Sequence, residues 1–517
     1  MLFEKLVLAS EAVRGTLSRL RKVEELTSLI EQLFNSGGAE PPGQHLEDGV
    51  ACLAGELPSG RIGLGPAQVF KHAPVSAQTE AVLSIADVGA ELRAIGAVSG
   101  AGSSALRIRR WLSLLERGTA REQDFLRRLV VGELRQGAQE GVVVDAVARA
   151  ARVSIASLRR ALMLSGSLPA IARSAFEGGE AALASYRIQL LRPLLPMLAQ
   201  SADTPAAALA KLGTACLEYK IDGFRIQAHK LGTEVRLFTR QLRDVTGAMP
   251  EIAAYVAALD APSLILDGEV LSLSASGAPE PFQVTMRRFG RKLDVAEMVQ
   301  KQPLHPFFFD CLHRSGEDLI DQPTLGRLAA LDLVVPEAAR VRRIETGDAA
   351  EAEQFFEGAL EAGHEGVMAK APDTPYAAGR RGQSWLKIKS HHSLDLVVLA
   401  VEWGSGRRQG WLSNLHLGAR DPERGYVMIG KTFKGLTDEL LRWQTEALLG
   451  REVAREGHIV HVRPELVVEI AFNDVQASPH YPGGVALRFA RVRRYRSDKS
   501  PEQADTLEAV RALCPVL

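Results

Sequence analysis

The residue best suited to covalent chemistry in this sequence is a lysine beside a tight turn. Its segment reads Glu218-Tyr219-Lys220-Ile221-Asp222-Gly223-Phe224-Arg225. We predict that an Asp-Gly turn at the junction of two strands holds the Lys220 amine out of the core. A lysine amine attacks phosphorus only when it is neutral, so this role requires a pKa lowered by burial or by nearby cations. The alternative is an exposed hairpin turn that carries ordinary charges.

Further charged and aromatic motifs follow Lys220 in a fixed order. They are Phe238-Thr239-Arg240, Asp267-Gly268-Glu269, Phe308-Phe309-Asp310, Glu365-Gly366-Val367-Met368-Ala369-Lys370, Trp385-Leu386-Lys387-Ile388-Lys389, Leu487-Arg488-Phe489-Ala490-Arg491 and Arg496-Ser497-Asp498-Lys499. Each motif also has an ordinary interpretation, such as a turn at a strand end for Glu269 or a solvated strand face for Lys387 and Lys389. The whole ordered series is far more specific than any one of its parts.

In order and spacing, these motifs resemble those of the covalent nucleotidyltransferases, the superfamily of DNA ligases, RNA ligases and mRNA capping enzymes. The resemblance implies that Lys220 takes AMP from ATP as a covalent adenylate. Phe309 matches the ring that stacks on adenine, and Glu218 matches the carboxylate that reads the exocyclic amine. The positions that match ATP or AMP contacts are Glu218, Arg225, Arg240, Glu269, Phe309, Lys370, Lys387, Lys389 and Arg494.

The resemblance also implies a divalent metal and a cationic site. Glu269 and Glu365 match carboxylates around the metal, and such hard oxygen ligands suit Mg²⁺ or Mn²⁺. Lys370, Lys387 and Lys389 would bring positive charge to the transferred phosphate. We expect the same three lysines to lower the pKa of Lys220 by like-charge repulsion.

The region before Lys220 resembles the DNA-binding domain of archaeal-type and eukaryotic DNA ligases. The segments that carry this likeness are Ser18-Arg19-Leu20-Arg21-Lys22, Arg61-Ile62-Gly63-Leu64-Gly65, Phe125-Leu126-Arg127-Arg128-Leu129 and 132–141. The likeness therefore extends from about residue 3 to about residue 505. It implies an ATP-dependent DNA ligase that seals nicks in duplex DNA. Candidate phosphate contacts are 100–104 and two basic clusters, one with Arg287, Arg288, Arg291 and Lys292, the other with Arg488, Arg491, Arg493, Arg494 and Arg496.

The patterns along the chain predict three domains of different fold class. Residues 1–200 read as a helical DNA-binding domain. Residues 205–393 alternate strands and helices, which predicts an α+β adenylation domain, an ATP-grasp-like nucleotidyltransferase, with a hairpin over 224–238. Residues 394–517 carry many short strands, which predicts an OB-fold β-barrel. In the family that domain turns toward the nucleotide for lysine adenylation and away to hold the nicked duplex.

Composition narrows the class of protein further. The 62 basic residues equal the 62 acidic ones, so overall charge does not favour a polyanionic partner. The four cysteines lack zinc-site spacing, and the sequence has no signal peptide or membrane span, so we expect a cytoplasmic, nucleoid-associated enzyme with reduced thiols. NAD⁺-dependent ligases carry a four-cysteine zinc module that this sequence lacks. We expect nicked duplex DNA as partner, a monomeric enzyme and no membrane association, with a sliding clamp as a candidate partner.

Two alternatives stay open at this point. One is an RNA ligase or another covalent nucleotidyltransferase, such as a guanylyltransferase. The other is a catalytically inactive DNA-binding paralogue, against which the intact Lys220 and its later motifs argue. One departure from the family pattern is Ala490, which occupies a position where proline is common.

Overall fold

The computed structural model places a helical region at the start of the chain, as the sequence predicts. The structure describes residues 1–36, 43–60, 62–70, 77–134, 136, 140–280, 282–288, 295–377, 381–389, 392–405 and 408–514. In this first region the helices are α1 Phe3–Gly15, α2 Arg19–Asn35, α3 Gln44–Ala54, α4 Pro66–Phe70, α5 Ile85–Ala97, α6 Ser103–Glu116, α7 Ala120–Val131, α8 Glu140–Ala150, α9 Ile155–Ser165 and α10 Leu168–Ala184.

Local sequence explains where several of these helices begin and end. Ser or Thr side chains accept a hydrogen bond from a first-turn amide at the start of α2, α5, α7, α9 and α10. Left-handed glycines follow α3, α7 and α9. The apolar faces of these helices share one core, in which Trp111, Leu126 and Val147 are fully buried. Phe125 and Leu129 belong to this core, so the resembling segment 125–129 is largely structural.

The middle region contains two five-stranded sheets that flank the lysine motif. In chain order its strands are β1 Leu198–Ser201, β2 Ala215–Tyr219, β3 Phe224–Leu231, β4 Glu234–Thr239, β5 Ser263–Ser272, β6 Leu304–Arg314, β7 Glu317–Asp318, β8 Arg343–Thr346, β9 Gly366–Lys370 and β10 Arg381–Lys389. One sheet has the order β1-β10-β9-β2-β8 and the other β4-β3-β5-β6-β7. The accompanying helices are α11 Pro205–Leu212, α12 Pro250–Ala257, α13 Phe282–Arg287, α14 Val295–Lys301, α15 Thr324–Val334 and α16 Ala349–Glu361.

The interpretation of Glu269 as a turn residue at a strand end is wrong. Asp267-Gly268-Glu269 does not follow a strand; it lies inside β5, which pairs with β3 on one side and β6 on the other. Pairing on both edges overrides the turn preference of Asp-Gly, and a Cβ at Gly268 would lie 2.7 Å from the Phe308 ring. The predicted domain boundary at residue 200 falls within β1, which pairs with β10.

The C-terminal region is built mainly of antiparallel strands. Its elements are β11 His392–Trp403, β12 Leu412–Asp421, β13 Gly425–Thr432, α17 Asp438–Leu449, β14 Glu452–Glu456, β15 Ile459–Val462, β16 Val467–Phe472, β17 Asp474–Ala477, β18 Val485–Arg488, β19 Arg491–Tyr495 and α18 Leu507–Ala512. The first half of β11 pairs with β16, and its second half pairs with β15. This change of partner curves the sheet around one apolar core. The predicted boundary at 393/394 falls within β11.

Residues 191–197 form a linker that joins the helical region to the middle sheets through specific contacts. The Leu195 amide donates to the Met163 carbonyl at 3.0 Å, and the Leu194 amide donates to Gln227 at 2.7 Å. Met163 also shares a small apolar core with Met197 and Trp385. The linker is therefore packed against both regions along this stretch.

A buried ion pair supports the second middle sheet and generates a stability prediction. Arg327 on α15 donates to both carboxylate oxygens of Asp310 on β6, at 2.8 and 3.0 Å, and both side chains have 0% exposure. Arg327→Ala would leave the Asp310 charge buried without its partner, which should cost about 3–5 kcal/mol of unfolding free energy in urea denaturation. Arg160→Ala removes the exposed Arg160–Asp321 pair and should cost less than about 1 kcal/mol. Equal losses for the two variants would contradict this prediction.

Candidate active site

Lys220 lies between the end of β2 and the start of β3, as the sequence predicts. Its amide donates to the Gly366 carbonyl at 2.8 Å, and its carbonyl accepts from the Glu365 amide at 3.1 Å. Gly223 closes the turn where a Cβ would lie 2.5 Å from the Val270 carbonyl oxygen. The lysine backbone is thus fixed to β9, and the turn requires glycine.

The Lys220 amine forms an ion pair with a predicted metal ligand. Its Nζ lies 2.6 Å from Glu365 Oε2, and the Lys389 Nζ lies 2.6 Å from Glu365 Oε1. One carboxylate therefore bridges two ammonium groups, each of which is mostly buried. This arrangement fixes the direction in which the amine points.

A cavity of about 700 Å³ opens above this ion pair. It lies between the two middle sheets and is open enough to admit a nucleotide. It brings together nine of the residues that the family resemblance singled out, namely Glu218, Lys220, Arg225, Arg240, Glu269, Phe309, Lys370, Lys387 and Lys389. Residues that are far apart in the sequence therefore line one cavity.

At one end of the cavity, Glu218 presents an oxygen without a partner. Its Oε2 lies 2.6 Å from the Lys370 Nζ, and its Oε1 is buried without a hydrogen bond among the described residues. Burial raises the pKa of Glu218, although Lys370 opposes this shift. A buried acceptor with no donor is costly, so the site favours a ligand N–H at this point.

Aromatic rings line the same end. Phe309 packs edge-on against Trp385, with ring centroids 6.2 Å apart. The Lys370 Nζ lies 4.9 Å from the Phe309 ring centroid and 4.5 Å from that of Trp385, and it donates to the Phe309 carbonyl at 2.8 Å. Phe309 is half-buried and lines the cavity, so one of its faces can pack against a planar ligand.

Our expectation that three lysines lower the pKa of Lys220 is wrong for this arrangement. Burial does lower that pKa, but the carboxylates of Glu365, Glu269 and Asp222 outweigh burial and raise it above its usual value. Lys370 is held by Glu218 instead of facing Lys220. Lys389 is the member of the trio that pairs with the same carboxylate as Lys220, and burial together with Lys220 lowers its own pKa.

Two carboxylates of the site, Glu269 and Glu365, have the chemistry to hold a divalent metal. No group of three or more His, Cys, Asp or Glu suited to a metal occurs in the described part of the chain. Mg²⁺, however, is usually held by one or two carboxylates together with substrate phosphates and water. Burial raises the pKa of Glu269 to about 7, so a nearby cation would offset the cost of its charge. Glu269 and Glu365 match such a two-carboxylate site.

Among the described residues of the last motifs, Arg488 and Phe489 bring the C-terminal region to the lysine motif and the cavity. Arg488 Nη1 lies 3.2 Å from Asp222 Oδ2, and Phe489, which is 57% exposed and has φ of 56°, lines the cavity. The structure does not bring Arg494 there: it pairs with Glu469 at 2.7 Å and is 66% exposed. Its contact with a nucleotide stays a prediction that requires this region to move.

The predicted basic clusters behave differently from one another. Arg288 is buried and donates to Glu251 at 2.8 Å, so it is a structural ion pair and not a free surface cation. Arg291 and Lys292 lie outside the described residues, as does the side chain of Arg287. In the second cluster Arg493 and Arg494 are exposed, and carboxylates pair with Arg488, Arg494 and Arg496.

The sequence analysis did not predict several of the residues that line the cavity. Met197, Leu198 and Ala199 form a wall of the cavity, and nothing in their apolar types or spacing signals this. Phe489 lies in a recognised motif, which was the available signal for it. The four cysteines are free and buried, as expected. No described helix is long and apolar enough to cross a membrane.

Comparisons with known proteins agree on one family. The family model for the "ATP dependent DNA ligase domain" matches residues 196–389, that for the "ATP dependent DNA ligase C terminal region" matches 408–499, and that for the "DNA ligase N terminus" matches 66–148. A "Probable DNA ligase" of Anaeromyxobacter sp. (strain Fw109-5) is 55% identical over 99% of this chain and 98% of its own length.

Other matches extend this result. A "Probable DNA ligase" of Rhodococcus opacus (strain B4) is 50% identical over 100% of both chains. The solved structure named Pmar-Lig_PreS3 superposes with a TM-score of 0.61 over 96% of this chain and all of its own, at 20% identity, which shows a shared fold.

The ion pair between Lys220 and Glu365 generates a prediction about pH. The lysine must lose its proton to react, so its rate of adenylation from ATP should rise with pH up to its pKa. Glu365→Gln removes a charge that raises this pKa, so the midpoint of the pH–rate profile should move to lower pH, even if the maximal rate falls. Single-turnover rates from about pH 7 to above the ordinary lysine pKa of about 10.4 measure it. Glu361→Gln, at an exposed position, should leave the midpoint unchanged, and an unchanged midpoint in Glu365→Gln would contradict the prediction.

Proposed function

The chain belongs to the ATP-dependent DNA ligase family, and we propose that its covalent intermediate is an adenylate on Lys220. A lysine adenylate is the general route of this family. The observation that carries the assignment to this residue is the lining of the cavity, which includes Lys220, whose amine pairs with Glu365, and also Glu218, with its unpaired oxygen, and Phe309. ATP supplies groups that match both sets of residues.

Adenine suits the Glu218 end of the cavity. Its exocyclic amine is a donor that can satisfy the buried Glu218 Oε1, while its ring can stack on Phe309. Guanine presents a carbonyl oxygen at the equivalent position, which would face the carboxylate and be repelled. The same two residues therefore bind the base and favour ATP over GTP.

The polyphosphate suits the cationic residues of the cavity. Arg240, Lys387 and Lys389 line it, and Lys389 shares the Glu365 carboxylate with Lys220, so their positive charge stabilises negative charge on the transferred phosphate. Lys220 Nζ attacks the α-phosphorus, the N–P bond forms, and the P–O bond to pyrophosphate breaks. Glu365 orients the amine for this in-line attack through their 2.6 Å contact.

We assign the divalent metal to Glu269 and Glu365, with Mg²⁺ or Mn²⁺ as the ion. Such an ion supplies charge neutralisation to phosphate oxygens when it is bound. Before reaction Glu365 is shared by two ammonium groups. Conversion of the Lys220 ammonium to a phosphoramidate, whose nitrogen is neutral and whose phosphoryl group keeps one negative charge, removes one of them, which leaves more negative charge for a cation.

The later steps use nicked duplex DNA. The 5′-phosphate takes AMP from Lys220 as the N–P bond breaks, and the 3′-hydroxyl then attacks that phosphate and releases AMP. We infer that the described arrangement is the one that faces DNA, because Phe489 is exposed at the mouth of the cavity and the Arg494 side of the last motif points elsewhere. Exposed Arg493 and the segment 100–104, which runs into the first turn of α6, are proposed contacts to the DNA backbone.

The finer architecture is part of the same proposal. The helical region would be the DNA-binding domain, the paired sheets an ATP-grasp-like adenylation domain, and the curved C-terminal sheet an OB-fold barrel that turns between two positions. A monomeric state and a sliding clamp as partner stay predictions from the sequence.

The covalent intermediate has a direct test. Lys220→Ala should abolish label transfer from ATP to protein, seen after denaturing electrophoresis, because the variant has no amine to attack phosphorus. Binding of nicked DNA should persist. Lys211→Ala, which changes an exposed lysine at the end of α11, is the matched control and should label like the parent. Label retained by Lys220→Ala, or label taken from GTP or NAD⁺ alone, would contradict the proposal.

Two arginines of the C-terminal region test its proposed movement. Arg494→Ala should slow lysine adenylation more than it slows sealing of a pre-adenylated nick, because its contact requires the region to turn toward ATP. Arg488→Ala should do the reverse, slowing sealing on the order of tenfold, because Arg488 reaches Asp222 in the DNA-facing arrangement. Rapid-quench rates for each step provide the measurement. Equal ratios for the two variants would refute the division of roles.

A further inference from the structure

Tyr376 lies beneath the nucleotide cavity without lining it. It sits between β9 and β10, it is 2% exposed, and its amide donates to the Ile320 carbonyl at 2.8 Å. Its ring packs edge-on against Trp385, with centroids 5.8 Å apart. No motif in the sequence marks it, and the reaction described above does not use it directly.

The Tyr376 hydroxyl is fully engaged. It donates to Asp267 Oδ2 at 2.8 Å and accepts from the Met197 amide at 2.9 Å. Burial raises the pKa of Tyr376 well above its usual value, so the hydroxyl keeps its proton and can act as a donor throughout the physiological range. A polar atom buried this deeply requires such partners.

Asp267 and Met197, the two partners of the Tyr376 hydroxyl, also accept hydrogen bonds from Arg225, which lines the cavity. Arg225 donates to Asp267 through Nε at 3.0 Å and Nη2 at 2.7 Å, and its Nη1 donates to the Met197 carbonyl at 2.9 Å. The hydrogen bonds therefore close a ring that runs from Tyr376 to Asp267, Arg225, Met197 and back. Within this ring, Arg225 and Met197 line the cavity, whereas Asp267 and Tyr376 do not.

We propose that Tyr376 is a positioning residue for ATP: its hydroxyl fixes both the guanidinium of Arg225 and the wall formed by 197–199. The proposal rests on the proposed function of the cavity as the ATP site. A carboxylate bound by arginine alone leaves the pair free to shift together, whereas a third hydrogen-bonding group tied to the linker sets its place. Because the linker comes from the helical region, Tyr376 also ties that region to the nucleotide site.

Tyr376→Phe is the direct test, since it keeps the ring and removes only the hydroxyl. The Met197 amide then loses its acceptor and Asp267 loses one donor. We expect the KM for ATP in self-adenylation to rise on the order of tenfold, while the maximal adenylation rate stays within about threefold. Affinity for nicked DNA should be unchanged.

Tyr186→Phe is the matched control. Its hydroxyl makes one hydrogen bond, to Ser174 Oγ at 2.8 Å, within the helical region. The same chemical change there should leave the KM for ATP unaltered, even if thermal stability falls slightly. If Tyr376→Phe lowers the melting temperature as the control does and leaves the KM unchanged, Tyr376 is structural only and the proposal is overturned.

A second variant keeps the test decisive if Tyr376→Phe does not fold. Asp267→Asn keeps the tyrosine but weakens the hold on Arg225, so it should also raise the KM for ATP, and an unchanged KM overturns the proposal. Where all variants fold, the KM for ATP of the double variant should rise by less than the product of the two single increases, because both residues act through the same hydrogen bonds. An increase equal to that product would refute this. Absence of any adenylate in the parent enzyme would instead refute the proposed function.

Discussion

Lys220 and Glu365 meet at 2.6 Å where β2 ends and β9 begins, and Glu218, two residues before Lys220, meets Lys370 at 2.6 Å as well. An isolated charge at this depth would cost several kcal/mol, on the order of a whole domain's net stability, so each must have a partner. Because β2 and β9 are antiparallel neighbours, both pairs form from adjacent strands without any change of backbone path. The site can therefore carry many charges and still fold before any ligand arrives.

The balance of charges in the site changes as the reaction proceeds. Adenylation replaces the Lys220 ammonium with a phosphoramidate whose nitrogen is neutral and whose phosphoryl group is anionic, so Glu365 keeps Lys389 as its described ammonium partner. The carboxylate is then better able to attract a cation or to repel a departing phosphate. The bound nucleotide in turn brings negative charge toward Arg240 and Lys387. Each step of the reaction thus changes which charges in the cavity are compensated, and the sheets that carry those charges need not move.

Much of the middle region could be predicted because its chemistry is local in sequence. The hairpin formed by β3 and β4, the strand with Phe309 and the helix from Ala349 each follow from short-range patterns. The pKa of Lys220 could not be predicted in the same way, since it depends on which of several charges approaches the amine. Lys370 pairs with the buried Glu218 carboxylate at 2.6 Å, a contact visible only in three dimensions. The linker wall and Tyr376 have no sequence signal at all, because hydrogen bonds from backbone groups of 197 carry no residue preference.

The position of the C-terminal region depends on much weaker forces than the site beneath it. Its ion pair to the lysine motif joins Arg488 and Asp222, whose side chains are 17% and 33% exposed, and pairs of this kind contribute about 1 kcal/mol or less when solvent reaches them. An enzyme that must admit ATP and later hold DNA over the same cavity needs a contact that can break within one turnover. A fully buried pair like Arg327–Asp310 would lock the region in place, whereas the partly exposed Arg488–Asp222 pair is cheaper to break. This contrast is what the proposed movement requires, because the nucleotide site would stay rigid while the region above it changes position.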